Sequence, residues 1–286
     1  MRWSGRREST KVEDQRGRFS MRGGAGIGCG GFLVVLVLAW LFGADPQQLL
    51  SLLGGLQQSV PTAEEQTAPA GTPQDELGKF AAVVLGDTEA TWNRIFTETG
   101  GRYEEPRLVL FSRAVASACG YASSAAGPFY CPEDHKLYLD LAFFEELDRR
   151  FGAPGDFAQA YVIAHEVGHH VQNLLGISER VHALQERARS QEEANELSVR
   201  LELQADCFAG VWGHTANRDR QLLSPGDVEE GLAAAAAIGD DTLQRQSQGY
   251  VTPETWTHGS SEMRAQWLRR GLQTGDPKDC DTFLSR

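Results

Sequence analysis

The hydrophobic pattern changes character along the chain. From Gly23 to Ala44 no ionisable side chain except Cys29 occurs, and Phe32 to Phe42 is unbroken apolar sequence. At about 1.5 Å per residue this run is long enough to cross a hydrocarbon core of about 30 Å, which predicts a transmembrane helix. Downstream the spacing becomes helical. Phe80, Val83, Val84, Trp92 and Phe96 fall on one helix, with Thr72 as N-cap, Pro73 at its first position, Asp75 in its first turn and a stop at Gly100-Gly101. Arg107–Phe111, Tyr130-Cys131 and Lys136–Asp140 read as short strands. Leu141 to Phe151 predicts a helix, Gly152 to Gly155 a turn, and a further helix begins at Phe157. Ser190-x-x-Glu193 is a capping box opening a helix through Leu197, Val199, Leu201 and Leu203 into Ala205, Cys207, Phe208 and Val211. Ser224-Pro225-Gly226-Asp227 opens another over Val228 to Ile238, and Glu262 to Leu272 forms the last. The class is therefore α+β, mostly helical with a small sheet, preceded by one N-terminal transmembrane helix.

Charge refines this division. In the first 22 residues Arg2, Arg6, Arg7, Lys11, Arg16, Arg18 and Arg22 outnumber Glu8, Glu13 and Asp14. By the positive-inside rule they predict a basic cytoplasmic tail over 1–22, an anchor in the lipid bilayer over 23–44 and an extracytoplasmic remainder. The competing reading is a cleaved signal peptide, but Gly43-Ala44 lacks the small residue three positions earlier that cleavage requires. Residues 45–74 read as a linker. Its Leu49–Gly54 patch suits an interfacial helix or simple linker, and Val60 to Thr72 is a Pro-, Thr- and Ala-rich tether. Residues 75–286 form the globular domain. The 286 residues carry a net charge of −12 and 41% hydrophobic content, enough for one proper core, and the acidity argues against a nucleic-acid partner.

Chemistry concentrates in His165-Glu166-Val167-Gly168-His169, an H-E-x-x-H sequence in an apolar helical run. Residues four apart stack on one helix face, so both imidazoles can reach one tetrahedral zinc ion, with Glu166 beside it as proton acceptor. A packed or surface His pair is the bland alternative. The third ligand is sought on the next long helix, where Glu202 and Asp206 are again four apart. Glu202 completes a His₂Glu set with an open fourth position, and Asp206 would hold a ligand ring by its free N–H. Read singly, both are also ordinary acids on an acidic amphipathic helix. His170, His182 and His214 stand as further candidates and read as surface or packing residues. His258, in a loop, reads either as structural or as a donor to the reacting oxygen, a role worth about 3 kcal/mol in the transition state.

Cys119, Cys131, Cys207 and Cys280 fall on the predicted extracytoplasmic side, with Cys29 left in the membrane. Four cysteines allow three pairings. The expected ones are Cys119 with Cys131, flanking a hairpin, and Cys207 with Cys280, stapling the tail to the helix of Glu202; four reduced thiols are the alternative. No Cys-x-x-Cys occurs, which argues against a thiolate zinc site.

Several stretches together resemble a bacterial membrane-anchored family described as predicted neutral zinc metallopeptidases. They are Met1-Arg-Trp with Gly5-Arg-Arg and Val12-Glu-Asp, Leu108-Val-Leu-Phe, Ser117-Ala-Cys-Gly, Gly127-Pro-Phe-Tyr-Cys-Pro and Tyr138-Leu-Asp. The His165 motif, Glu202 to Asp206, His258-Gly-Ser-Ser and Cys280-Asp-Thr-Phe complete the set. The resemblance implies a zincin-like protease domain with one catalytic zinc, in which His165, His169 and Glu202 correspond to the ligands and Glu166 to the base. In zincins an exposed sheet edge binds the peptide as an added strand; which strand is the edge cannot be read from sequence. The expectation is a membrane-anchored zinc peptidase acting on peptides or proteins outside the cytoplasmic membrane. The alternatives are a zinc amidase on a non-peptide or cell-wall amide, or a non-catalytic binding module with a vestigial site.

Overall fold

Leu108, Leu110, Leu137 and Leu139 point to one side of a small sheet and Val109, Phe111 and Tyr138 to the other, the period-two alternation of strands buried on both faces. The computed structural model describes residues 1–17 and 72–283; the predicted anchor 23–44 with Cys29, and the linker up to residue 71, lie outside them. The sheet has the order β1-β2-β6-β5, from β1 (Val12–Asp14), β2 (Arg107–Phe111), β6 (Lys136–Asp140) and β5 (Phe129–Cys131). The first three run parallel, with Val12 opposite Leu108 and Leu108 opposite Leu137. β5 returns antiparallel to β6, placing Tyr130 opposite Leu137, and forms one edge of the sheet, with β1 at the other. A hairpin of β3 (Ala114–Ser117) and β4 (Gly120–Ser123) covers the Val109 face with Val115 and Ala122.

The leucine face packs on helices. α1 (Glu76–Glu98) brings Phe80, Val84, Leu85 and Trp92 to it. Its cap is Asp75, whose carboxylate accepts from Gly78 N at 3.0 Å, three residues beyond the expected Thr72. α2 (Ala142–Arg149) leads through the turn at Gly152 to α3 (Asp156–Leu174), and α4 (Ile177–Gln185) follows. α5 (Gln191–Arg220) is capped by Ser190, which accepts from Glu193 N at 3.2 Å; Glu193 in turn accepts from Arg189 N rather than from the cap residue. α6 (Asp227–Ala237), α7 (Asp240–Gln248) and α8 (Ser261–Thr274) complete the domain. The sequence pattern misses α7, which is polar along its length and has no fully buried residue. Both expected disulfides are present, Cys119–Cys131 and Cys207–Cys280, with Cys131, Cys207 and Cys280 buried.

One expectation is corrected. Residues 1–17 are not a separate tail: they belong to the same unit as residues 72–283. β1 escapes sequence reading because three residues, Val-Glu-Asp, offer no alternation and the charges around them resemble a solvated segment. Among the described residues no helix is long and apolar enough to cross a membrane.

Candidate metal centre

α3 and α5 cross with their backbones almost touching. At Gly168 a side-chain carbon would lie 2.9 Å from the Ala205 carbonyl oxygen, so only glycine permits the approach. The crossing sets Glu202 on α5 against His165 and His169 on α3. The two Nε2 atoms are 3.1 Å apart, and the Glu202 carboxylate lies 3.2 Å from that of His165 and 3.4 Å from that of His169.

The outer nitrogens show what the inner ones offer. His165 Nδ1 lies 2.8 Å from the Asp206 carboxylate, so it carries the hydrogen and donates. His169 Nδ1 faces Gln172 Oε1 at 2.9 Å. That amide's orientation is fixed, because its nitrogen donates to Leu201 O at 2.6 Å and to Gln204 Oε1 at 3.2 Å. With the outer nitrogens so engaged, the two Nε2 atoms and the Glu202 carboxylate converge as three donors on one point, an arrangement that favours positive charge between them, whether a proton on an imidazole or a metal cation. Two imidazoles and one carboxylate with a free fourth direction fit zinc, so His165, His169 and Glu202 are the residues that would hold it. Electrostatics agree. Burial opposes charge on His165, but Asp206 and Glu202 outweigh it and push the imidazole up to about 9; Glu202 itself is held well below the carboxylate range by the two histidines, against the cost of its own burial.

Asp206 is fully buried and saturated. It accepts from Tyr161 Oη at 2.5 Å, His165 at 2.8 Å, and Arg264 through Nε at 2.9 Å and Nη2 at 3.0 Å. Burial disfavours its charge, but Arg264 and His165 prevail and hold its carboxyl at about 2. Arg264 and Tyr161 escape sequence reading. The available signal is phase: Arg264, Leu268 and Gly271 form the buried stripe of α8, and an arginine on such a stripe requires a buried acid partner.

Glu166 lies at the wall of a cleft of about 960 Å³ that also holds His165, His169, Glu202, Tyr130 and His258. It makes no hydrogen bond among the described residues, and burial raises its carboxyl pKa. His258 reaches the cleft from the loop before α8. Asp240, at the start of α7, accepts the backbone N–H groups of Thr257, His258 and Gly259 at 2.8, 2.6 and 3.0 Å and also lies 3.3 Å from His258 Nδ1. This contact raises the His258 pKa.

The remaining histidines stay outside. His170 is a fully buried packing residue, bonded to Tyr130 on β5 and to Glu104 O; His182 pairs with Glu186 at the surface, and His214 bonds to Leu272 O. A second acidic group, Asp156, Asp227 and Glu230, holds the Met1 amino group, 3.3 Å from Asp227, and accepts Phe157 N.

Comparison with known proteins identifies the family. A family described as "Putative neutral zinc metallopeptidase" matches residues 1–283. The chain is 48% identical over 295 aligned positions to "Uncharacterized protein YpfJ" of Escherichia coli K12, covering 99% of each chain. It is 42% identical over 258 positions to "Uncharacterized protein Rv2575" of Mycobacterium tuberculosis H37Rv, covering 86% of this chain and 85% of that one. No solved structure matches. With a donor set suited to zinc and a family match along nearly its whole length, the chain belongs to the neutral zinc metallopeptidase family.

Proposed function

We propose that this protein is a zinc-dependent endopeptidase with one catalytic ion, attached to the cytoplasmic membrane through residues 23–44 and working on peptides or proteins outside it. The observation that carries the reading is the convergence of His165, His169 and Glu202 beside a carboxylate, Glu166, that makes no hydrogen bond or ion pair among the described residues. A zinc ion held by His165, His169 and Glu202 would supply Lewis acidity, enough to lower the pKa of a water to about 7. Glu166 accepts the proton of the attacking water and hands it to the leaving amine, a role suited to a carboxyl raised by burial. His258 turns its free Nε2 to the reacting oxygen as hydrogen-bond donor, held by Asp240. Asp206, with Arg264 and Tyr161 behind it, keeps His165 in the tautomer that ligates. β5, antiparallel at the sheet edge and lining the cleft, receives the substrate backbone as an added strand. The extracytoplasmic placement is supported by the two disulfides.

An amidase acting on a non-peptide amide would use the same residues. A binding module with a vestigial site would have no use for Glu166, since structural zinc sites close all four positions with protein ligands. The test is exposure of the full-length detergent-solubilised protein to a diverse peptide library, with cleavage read by mass spectrometry, for wild type and Glu166→Gln at equal zinc content. Hydrolysis should fall at least about a hundredfold in the variant. Equal cleavage would remove Glu166 from the mechanism; binding without cleavage of any amide would favour the module.

A further inference from the structure

We infer that residues 1–17 lie on the same side of the membrane as the domain carrying the metal centre, folded into it, so that the chain leaves at Gly17 and re-enters at Thr72 on one side, and the attachment through residues 23–44 is not the single crossing with a cytoplasmic N-terminus that the charges predict. The inference does not rest on the proposed catalysis. It rests first on the sheet. β1 is a hydrogen-bonded parallel neighbour of β2, with Val12, Glu13 and Asp14 opposite Leu108, Val109 and Leu110, and Val12 is 6% exposed inside the main core. Paired strands lie about 4.8 Å apart, whereas a hydrocarbon core is about 30 Å thick, so no bilayer passes between them.

The backbone before β1 is equally engaged. Ser9 N donates to Ala82 O at 2.9 Å, and a side-chain carbon on Gly86 would lie 3.0 Å from Arg7 O and 3.1 Å from Ser9 N. The segment thus lies against α1 at backbone contact, where the glycine leaves room.

The basic residues then take on a different meaning. Of the seven cations that the positive-inside argument counts as retained in the cytoplasm, Arg2, Arg6, Arg7, Lys11 and Arg16 lie among the described residues. In the structure each has a partner in the domain. Arg2 donates to Leu223 O at 2.8 Å, Arg6 to Arg220 O at 2.6 Å, and Arg7 to Glu89 at 2.7 Å, while Lys11 lies 3.5 Å from Glu105. Glu89 is 2% exposed and also accepts from Ser9 Oγ, so the segment supplies the groups that neutralise a buried acid of α1. These five cations are explained by folding, which removes their weight as a topology signal. Arg16 bonds to Asp14 and to Asp75, the cap of α1, so the points of departure and return are joined by an ion pair.

The experiment uses the full-length protein in its native membrane, in a Cys29→Ser background. Ser4→Cys and Glu186→Cys, both at exposed positions, are introduced one at a time and treated with a membrane-impermeant maleimide before and after permeabilisation. Both sites should label to the same extent before permeabilisation. One site labelling in intact cells and the other only after permeabilisation would overturn the inference. Both labelling only after permeabilisation would uphold it while refuting the extracytoplasmic placement. As a second readout, Arg7→Glu should lower the thermal unfolding midpoint of the domain; an unchanged midpoint would mean that the segment is not docked, and would sink the claim.

Discussion

Tyr130 on the edge strand donates its hydroxyl hydrogen to His170, the residue directly after His169 of the metal centre, at 3.0 Å. The direction is fixed. His170 Nε2 lies 2.6 Å from Glu104 O and must donate there, and burial brings the His170 pKa down to about 4, leaving Nδ1 as an acceptor. Asn173, one turn further along α3, donates to the same hydroxyl at 3.1 Å. The metal-binding helix thus holds β5 through His170 and Asn173. Tyr130→Phe would leave Nδ1 and the Asn173 amide without a protein partner, at a cost of about 1–3 kcal/mol. The expected outcome is an unchanged zinc content with a KM for peptide raised about tenfold, equivalent to about 1.4 kcal/mol of substrate binding. Steady-state kinetics with parallel metal analysis checks it; a change in kcat alone would assign Tyr130 to the chemical step.

Metal content separates ligand from base. The wild-type protein should carry about one zinc, Glu202→Ala should lose most of it, and Glu166→Ala should keep it. Elemental analysis after dialysis against a weak chelator decides, and full occupancy in Glu202→Ala would return the third-ligand role to another residue.

The disulfides should differ in weight. Cys207–Cys280 closes a separation of 73 residues and Cys119–Cys131 one of 12. Loop entropy assigns them about 4 and about 3 kcal/mol respectively, so the double alanine variant of the first pair should lose more stability in urea unfolding.

Asp240 should govern the titration of His258. The contact raises the histidine's pKa, so the protonated form is favoured in the fold. The pH-dependent stabilisation is therefore fully present below about 6.5 and disappears as pH rises through the folded-state pKa. In Asp240→Asn the midpoint, followed by NMR of the imidazole protons, should drop, and the pH-dependent part of the stability loss should be largest in acid. A midpoint that does not move would detach the loop's charge from Asp240.

What sequence reveals here is what local spacing determines. His165 and His169 are legible because four residues of helix bring them together, and Glu202 with Asp206 because the same spacing repeats on a second amphipathic helix. The strands β2 and β6 announce themselves by apolar runs, and the cysteine pairs by their positions around a hairpin and at the tail. Arg264, Asp240 and the role of His170 are different. Each is defined by a partner far along the chain, Asp206 for the first and Tyr130 for the last, and no local pattern distinguishes such a residue from its neighbours. For β1 the misleading feature was charge itself, since a cation seen without its partner looks solvated.

Gly168 has a consequence for how the donor set responds to force. Because α3 and α5 meet backbone to backbone there, no compressible side chain separates the elements that carry the histidines from the one that carries Glu202. The gap between the donors is therefore a hard stop rather than a spring. Gly168→Ala would wedge the helices apart and move a carboxylate away from two imidazoles without altering any of the three, so a residue with no donor atom in its side chain acts as the gauge of the site.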